Sequence, residues 1–192
     1  TLIYALPEKW MGDAVGVIVF SDPALLGLVF IGAIVLYEKS ERTLSSIAAS
    51  PVTVKEYILS KVVSLGIISS LSGILIALAV PVETNWPMMI IGLLFGSCLF
   101  TMIGLSASVR IANFQQFIVY LVPLAFLTAV PGILYKFWIS SALWFMLPGP
   151  AVFDLVDGGK KMVFSLPAML AWLAISYYWA HMSVTKMFRS LG

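Results

Sequence analysis

Residues able to do acid–base, nucleophilic or metal chemistry are few in this 192-residue chain. It holds one histidine, His181, and one cysteine, Cys98. A metal site built on nitrogen and sulfur takes about three or four such ligands, and one of each cannot supply them. A Ser–His–Asp relay would need His181 beside Asp154 or Asp157, yet His181 falls near one end of the last apolar stretch and both aspartates precede its other end. Gly159–Lys160 comes closest to a phosphate-cradling GxxxxGK[ST] loop, but Asp154 stands where the first glycine belongs. The chain is therefore not expected to hydrolyse ATP by itself, and no cofactor is expected. Asp22, in Ser21-Asp22-Pro23, reads as the N-cap of a helix with proline at its first position rather than as a substrate or proton site. With almost no other ionisable group inside the apolar stretches, proton- or sodium-coupled transport lacks its usual relay.

The elements that would position these residues follow from composition. Hydrophobic residues make up 61% and charged ones 10%, against roughly 45–50% and about 25% in an average soluble domain. Mean hydropathy is +1.04. These values exclude a soluble globule, a disordered tail, a disulfide scaffold and a nucleic-acid-binding module, and predict an all-α integral membrane protein in a lipid bilayer. The net charge of +2 is too small to argue for an acidic partner. A spanning helix needs about 20 apolar residues, and five stretches qualify: 14–37, 57–80, 87–109, 114–131 and 164–187. If Asp22 caps a helix, the first true span starts near Pro23 and the residues before it lie outside the membrane. Residues 132–163 are apolar but broken by Pro148, Gly149, Pro150, Gly158 and Gly159, the pattern of an external re-entrant hairpin. The chain reads as one transmembrane domain.

Lys and Arg of short loops prefer the cytoplasm. Lys39, Arg42, Lys55, Lys61, Arg110, Lys186 and Arg189 fall on one side and Lys9, Lys136, Lys160 and Lys161 on the other. The 38–56 loop and the carboxyl terminus are thus placed in the cytoplasm and the amino terminus outside, which calls for a further helix upstream of Thr1. Gly92, Gly96, Gly104 and Ser108 in the third stretch, and Ser69, Gly73 and Ala77 in the second, read as close helix packing. Trp86, Tyr135, Trp138 and Trp144 read as an aromatic belt.

One loop looks built for a partner. Glu38, Lys39, Ser40, Glu41 and Arg42 form a dense run of polar and charged residues. Leu44, Ile47 and Ala48 follow at i, i+3 and i+4, giving a short helix an apolar face. Pro51 ends that helix, and Thr53 with Glu56 forms a capping box that starts the next at Val54. Such a helix would lie on lipid headgroups or fill a groove on another protein.

Glu38 to Lys61, EKSERTLSSIAASPVTVKEYILSK, resembles the first cytoplasmic loop of ABC-2 type transporter permeases, the membrane subunits of many bacterial ATP-driven exporters. Glu38, Glu41, Thr43, Leu44, Ser50, Pro51, Val52, Glu56 and Lys61 occupy the family's pattern. Arg42 stands where a glycine often precedes the threonine, and Ser60 where a glycine often precedes the lysine. Leu147 to Val156, LPGPAVFDLV, is similar to the family's external segment before its last span. The resemblance implies six spans, of which the five here would be the second to sixth, in a bacterial cytoplasmic membrane. It also implies a separate ATP-binding cassette ATPase subunit, a second permease copy in a homo- or heterodimer, and a path for a hydrophobic or amphipathic substrate at the permease interface. Glu38, Glu41, Arg42, Leu44, Ile47, Pro51 and Val52 become the candidate partner-binding residues, with the loop acting as a lever on the next span. Asn113, Gln115 and Gln116 are polar candidates for the path, though they also fit a helix boundary. A membrane-embedded lipid-modifying enzyme, or a structural assembly protein, are the other classes such a chain could serve.

Overall fold

The structure, a computed structural model, describes residues 8–21, 25–79, 85–137 and 141–191. Regular structure among them is entirely helical: α1 (Glu8–Val19), α2 (Leu25–Ser40), α3 (Thr43–Ala49), α4 (Val54–Leu78), α5 (Trp86–Ser108), α6 (Phe114–Phe137), a 3-10 segment (Ala142–Met146), α7 (Pro148–Val156) and α8 (Met162–Leu191). The reading of Asp22 and Pro23 as a helix start, and of Trp138 as part of a belt, lies outside the described residues.

Four helices, α4, α5, α6 and α8, are long and apolar enough to cross a membrane. The expected first span, 14–37, includes residues 22–24, which lie outside the described residues. On either side of them the span holds the second half of α1 and most of α2, and α2 as described has 16 residues, about 24 Å of rise against a hydrocarbon core of about 30 Å. The fourth stretch does not stop at Pro131 either. α6 continues through Pro123 and Pro131 to Phe137, taking residues 132–137 out of the proposed hairpin. Proline is tolerated inside a membrane helix because neighbouring helices and hydroxyl side chains re-satisfy the backbone groups it frees.

α5 is the centre of the bundle, packing on α2, α4, α7 and α8. Its small residues serve different neighbours. A Cβ on Gly92 would lie 2.8 Å from the backbone nitrogen of Val156 in α7, and one on Gly104 would lie 2.6 Å from the carbonyl oxygen of Leu28 in α2. Four-residue steps advance 400° on an α-helix, so the stripe drifts around α5 and seats a neighbour on each flank. The serines pack as well: Ser97 Oγ donates to Ser69 Oγ at 3.0 Å, tying α5 to α4. All nine residues of α7 are buried, and Gly149 at its start lies directly against the Thr128 carbonyl and Gly132 of α6. Gly158 and Gly159, with φ of 102° and 70°, make the left-handed turn that leads from α7 to α8. Facing outward, α4 presents Leu59, Val63, Ile67, Leu71 and Leu75, and α6 presents Val119, Val122, Phe126 and Leu127. Helices apolar on both their packed and their outward faces belong to a chain that crosses a membrane several times.

Candidate functional site

The loop joining α2 to α4 folds as its residues dictate. α3 ends at Ala49, before Pro51, and Ser50 caps it by donating its backbone N–H to the Ile47 carbonyl. Thr53 then accepts from the Glu56 N–H at 3.3 Å while the Glu56 carboxylate accepts from the Thr53 N–H at 2.8 Å. This reciprocal capping box satisfies two of the donors a helix start leaves unpaired, and α4 begins at Val54.

The apolar face of α3 points inward. Leu44 is 1% exposed and joins Ile31, Val35, Tyr57, Ile58, Val62, Val184 and Met187 in one cluster contributed by α2, α4 and α8, with Ile47 half-buried against it. Leu44 therefore anchors α3 to the bundle and is not available as a contact surface. Glu38 is also turned inward. Its side chain is 12% exposed and forms an ion pair with Lys61, while its second oxygen accepts from the Tyr57 hydroxyl at 2.7 Å. Tyr57 meets the Phe188 ring edge-on at 5.5 Å, which brings α8 into the clamp. Of the seven candidate partner-binding residues, Glu41, Arg42, Pro51 and Val52 are exposed, Val52 at 40%. With Thr43, Ser45, Ser46, Thr53 and Lys55 they form the outward surface of the loop.

Two features of this end escape a reading of spacing alone. Lys39 Nζ donates to the carbonyls of Ser108 at 3.0 Å, Val109 at 2.8 Å and Ile111 at 2.7 Å. All three of its donors are thus committed to the carboxyl end of α5, where a cation suits both the unpaired carbonyls and the helix dipole. Lysine in a loop signals only charge, and nothing local marks a partner 69 to 72 positions away. The second is Arg42, which takes φ 55°, ψ 15° at the start of α3. This left-handed conformation is natural to glycine and costs other residues about 1–2 kcal/mol. A signal existed here, because Arg42 occupies the place where the resembling permeases often carry glycine.

The opposite end holds a denser charge cluster. Lys136 Nζ, near the end of α6, lies 2.9 Å from Asp13 of α1 and 2.7 Å from Asp157 after α7. Asp157 also meets Lys160 at 3.4 Å. Buried Asp154 accepts from the Tyr135 hydroxyl at 3.4 Å and from the Lys161 backbone N–H at 3.2 Å. A recess of about 250 Å³ opens beside Asp13, Lys136, Asp157 and Asn85. Asp154 and Asp157 thus serve ion pairing and turn formation, while His181 stacks at a tilt on Tyr177 in α8. Asn113, Gln115 and Gln116 are exposed at the entry to α6, the helix-boundary position.

No protein-family model matches this chain, and no solved structure does. Over 148 residues it is 29% identical to the fluoroquinolones export permease proteins of two Mycobacterium tuberculosis strains, CDC 1551 / Oshkosh and ATCC 25618 / H37Rv. The match covers 76% of this chain and 59% of each relative, so the chain spans about three-fifths of the length of the curated relatives it matches. Both relatives are named as permeases for export.

Proposed function

We propose that this chain forms the membrane path of an ATP-driven exporter, as a permease subunit of the ABC-2 type in the bacterial cytoplasmic membrane. In this reading α2, α4, α5, α6 and α8 are its five crossing segments, and a second permease copy completes the path. The 38–56 loop, on the cytoplasmic face with the carboxyl terminus, receives a separate ATP-binding cassette subunit. The substrate is a hydrophobic or amphipathic compound, of the drug class for which the relatives are named.

The observation that carries the reading is the two-sided construction of α3. The residues that flank it, Glu41 and Arg42 before and Pro51 and Val52 after, are open to a partner, while Leu44 locks its inner face to α2, α4 and α8. A push on the outer surface is transmitted because a close-packed interior shifts as a unit instead of yielding locally. Glu38, paired with Lys61 and Tyr57, joins the two helices that flank the loop. Leu44 and Ile47 are then the transmitting residues, and the exposed four are the receiving ones.

Affinity purification of the full-length protein in mild detergent, followed by mass spectrometry and an ATPase assay of the eluate, tests this. An ATP-binding cassette protein should co-purify, and Val52→Asp should lose it together with the ATPase activity while leaving the permease folded. Absence of such a partner from the wild-type eluate, or its full retention by Val52→Asp combined with Arg42→Glu, would overturn the reading.

A further inference from the structure

α5 packs on both α6 and α8, but those two helices make little contact with each other. The gap between them is a trench in the side of the bundle, made of two adjoining recesses of about 330 and 220 Å³ that share Leu124 and Trp179. Leu127, Trp172 and Ile175 line the recess farther from the loop end. The two hydroxyls there are satisfied internally, Thr128 Oγ1 donating to the Leu124 carbonyl at 2.8 Å and Ser176 Oγ to the Leu173 carbonyl at 3.1 Å. The trench therefore offers hydrocarbon to an occupant. Its mouth, at the end of the bundle that carries the 38–56 loop, is different: Arg110 and Tyr120 line it, both exposed. Neither side chain has a hydrogen-bond or ion-pair partner among the described residues.

Along α6, from Tyr120 to Thr128, the trench runs about 12 Å, just under one leaflet of a hydrocarbon core about 30 Å thick. Seven Lys and Arg residues lie at this end (Lys39, Arg42, Lys55, Lys61, Arg110, Lys186, Arg189) against three glutamates (Glu38, Glu41, Glu56). Glu38 is already held by Lys61. A cationic mouth over an apolar trench one leaflet deep is complementary to a molecule with one anionic head and an apolar chain of leaflet length. We infer that the α6–α8 trench is a binding site for an anionic phospholipid, whose headgroup is held by Arg110 and Tyr120 and whose acyl chain lies along Leu124, Leu127, Trp172 and Trp179. Basic pockets between membrane helices hold anionic headgroups by this combination of charge and burial.

The inference goes beyond the exporter reading and needs only that the bundle sit in a bilayer. Its test uses the full-length protein in nanodiscs of phosphatidylcholine, doped with brominated phosphatidylglycerol or brominated phosphatidylcholine. Quenching of Trp172 and Trp179 is isolated by difference from the Trp172→Phe and Trp179→Phe variants. Brominated phosphatidylglycerol should quench at about fivefold lower mole fraction than brominated phosphatidylcholine, the preference one basic residue near a lipid surface confers. Arg110→Gln should abolish that preference, and Lys186→Gln, on the outer surface of α8, should retain it. Ala107→Leu narrows the mouth without touching the charge and should reduce quenching by both lipids. Equal quenching by the two lipids in the wild-type protein would overturn the site. So would an equal loss in Lys186→Gln, which would assign the preference to surface charge at large, or displacement of the lipid by inorganic phosphate, which would make it a site for free anions.

Discussion

The two ends of the bundle use charge in opposite ways. At the 38–56 loop, charged side chains make separate small links: Glu56 closes the capping box with Thr53, Lys39 of α2 caps α5, and one ion pair joins Glu38 of α2 to Lys61 of α4. The remaining charges stay outside, and the grip on the bundle is apolar, through Leu44. At the opposite end Lys136 gathers Asp13 and Asp157 from two separate segments, with Asp154 buried beneath. There the ions themselves hold the chain together. The difference teaches that the loop end is free to receive a partner because its stability is lodged in hydrocarbon, whereas the opposite end has spent its charges on its own closure.

The largest effect that would break this contrast is at α3. Leu44→Asp buries a carboxylate among Ile31, Val35 and Val184 and should cost about 3–5 kcal/mol, read as loss of the monodisperse peak or a large fall in Tm in detergent, while Val52→Asp should change Tm little. Similar Tm values for the two variants would mean that α3 is not anchored through Leu44. Next come the lysines. Lys136→Met leaves Asp13 without its cation and Asp157 with only the exposed Lys160, and Lys39→Met strips three carbonyls of a charged donor; each should cost about 2–3 kcal/mol. Salt separates them: the Lys136→Met loss should shrink as ionic strength rises and carboxylate repulsion is screened, while the Lys39→Met loss should persist because it is a loss of hydrogen bonds. Smallest is Arg42→Gly, which relieves the left-handed backbone and should raise stability by about 1 kcal/mol, seen as a modest rise in Tm. No rise would mean that Arg42 makes a compensating contribution through its charge.

The loop was legible because its determinants are local. Thr53 and Glu56 are three residues apart, Pro51 acts on its own neighbours, and Leu44, Ile47 and Ala48 lie on one face of a single helix. Each of those signals acts within one turn of backbone, where geometry follows from residue type. The apolar face was visible in the same way, but its direction was not, since an apolar stripe packs equally well on its own bundle or on a partner. α6 shows the same limit from another side: proline ends a helix in water, and only its surroundings in the fold let Pro131 remain inside one.

By itself the sequence determined that this chain is helical and made for a membrane, where α3 stops and how α4 starts. Composition, period and capping depend on energies confined to a few neighbouring residues. The tertiary structure alone decided that Leu44 faces inward, that Lys39 serves α5, that Lys136 collects two aspartates, that α5 seats α2 and α7 on different glycines, and that α6 and α8 stand apart over a trench. Those outcomes rest on which distant surfaces come within contact range, and side-chain charge and volume are the same in the sequence whether or not such a partner arrives.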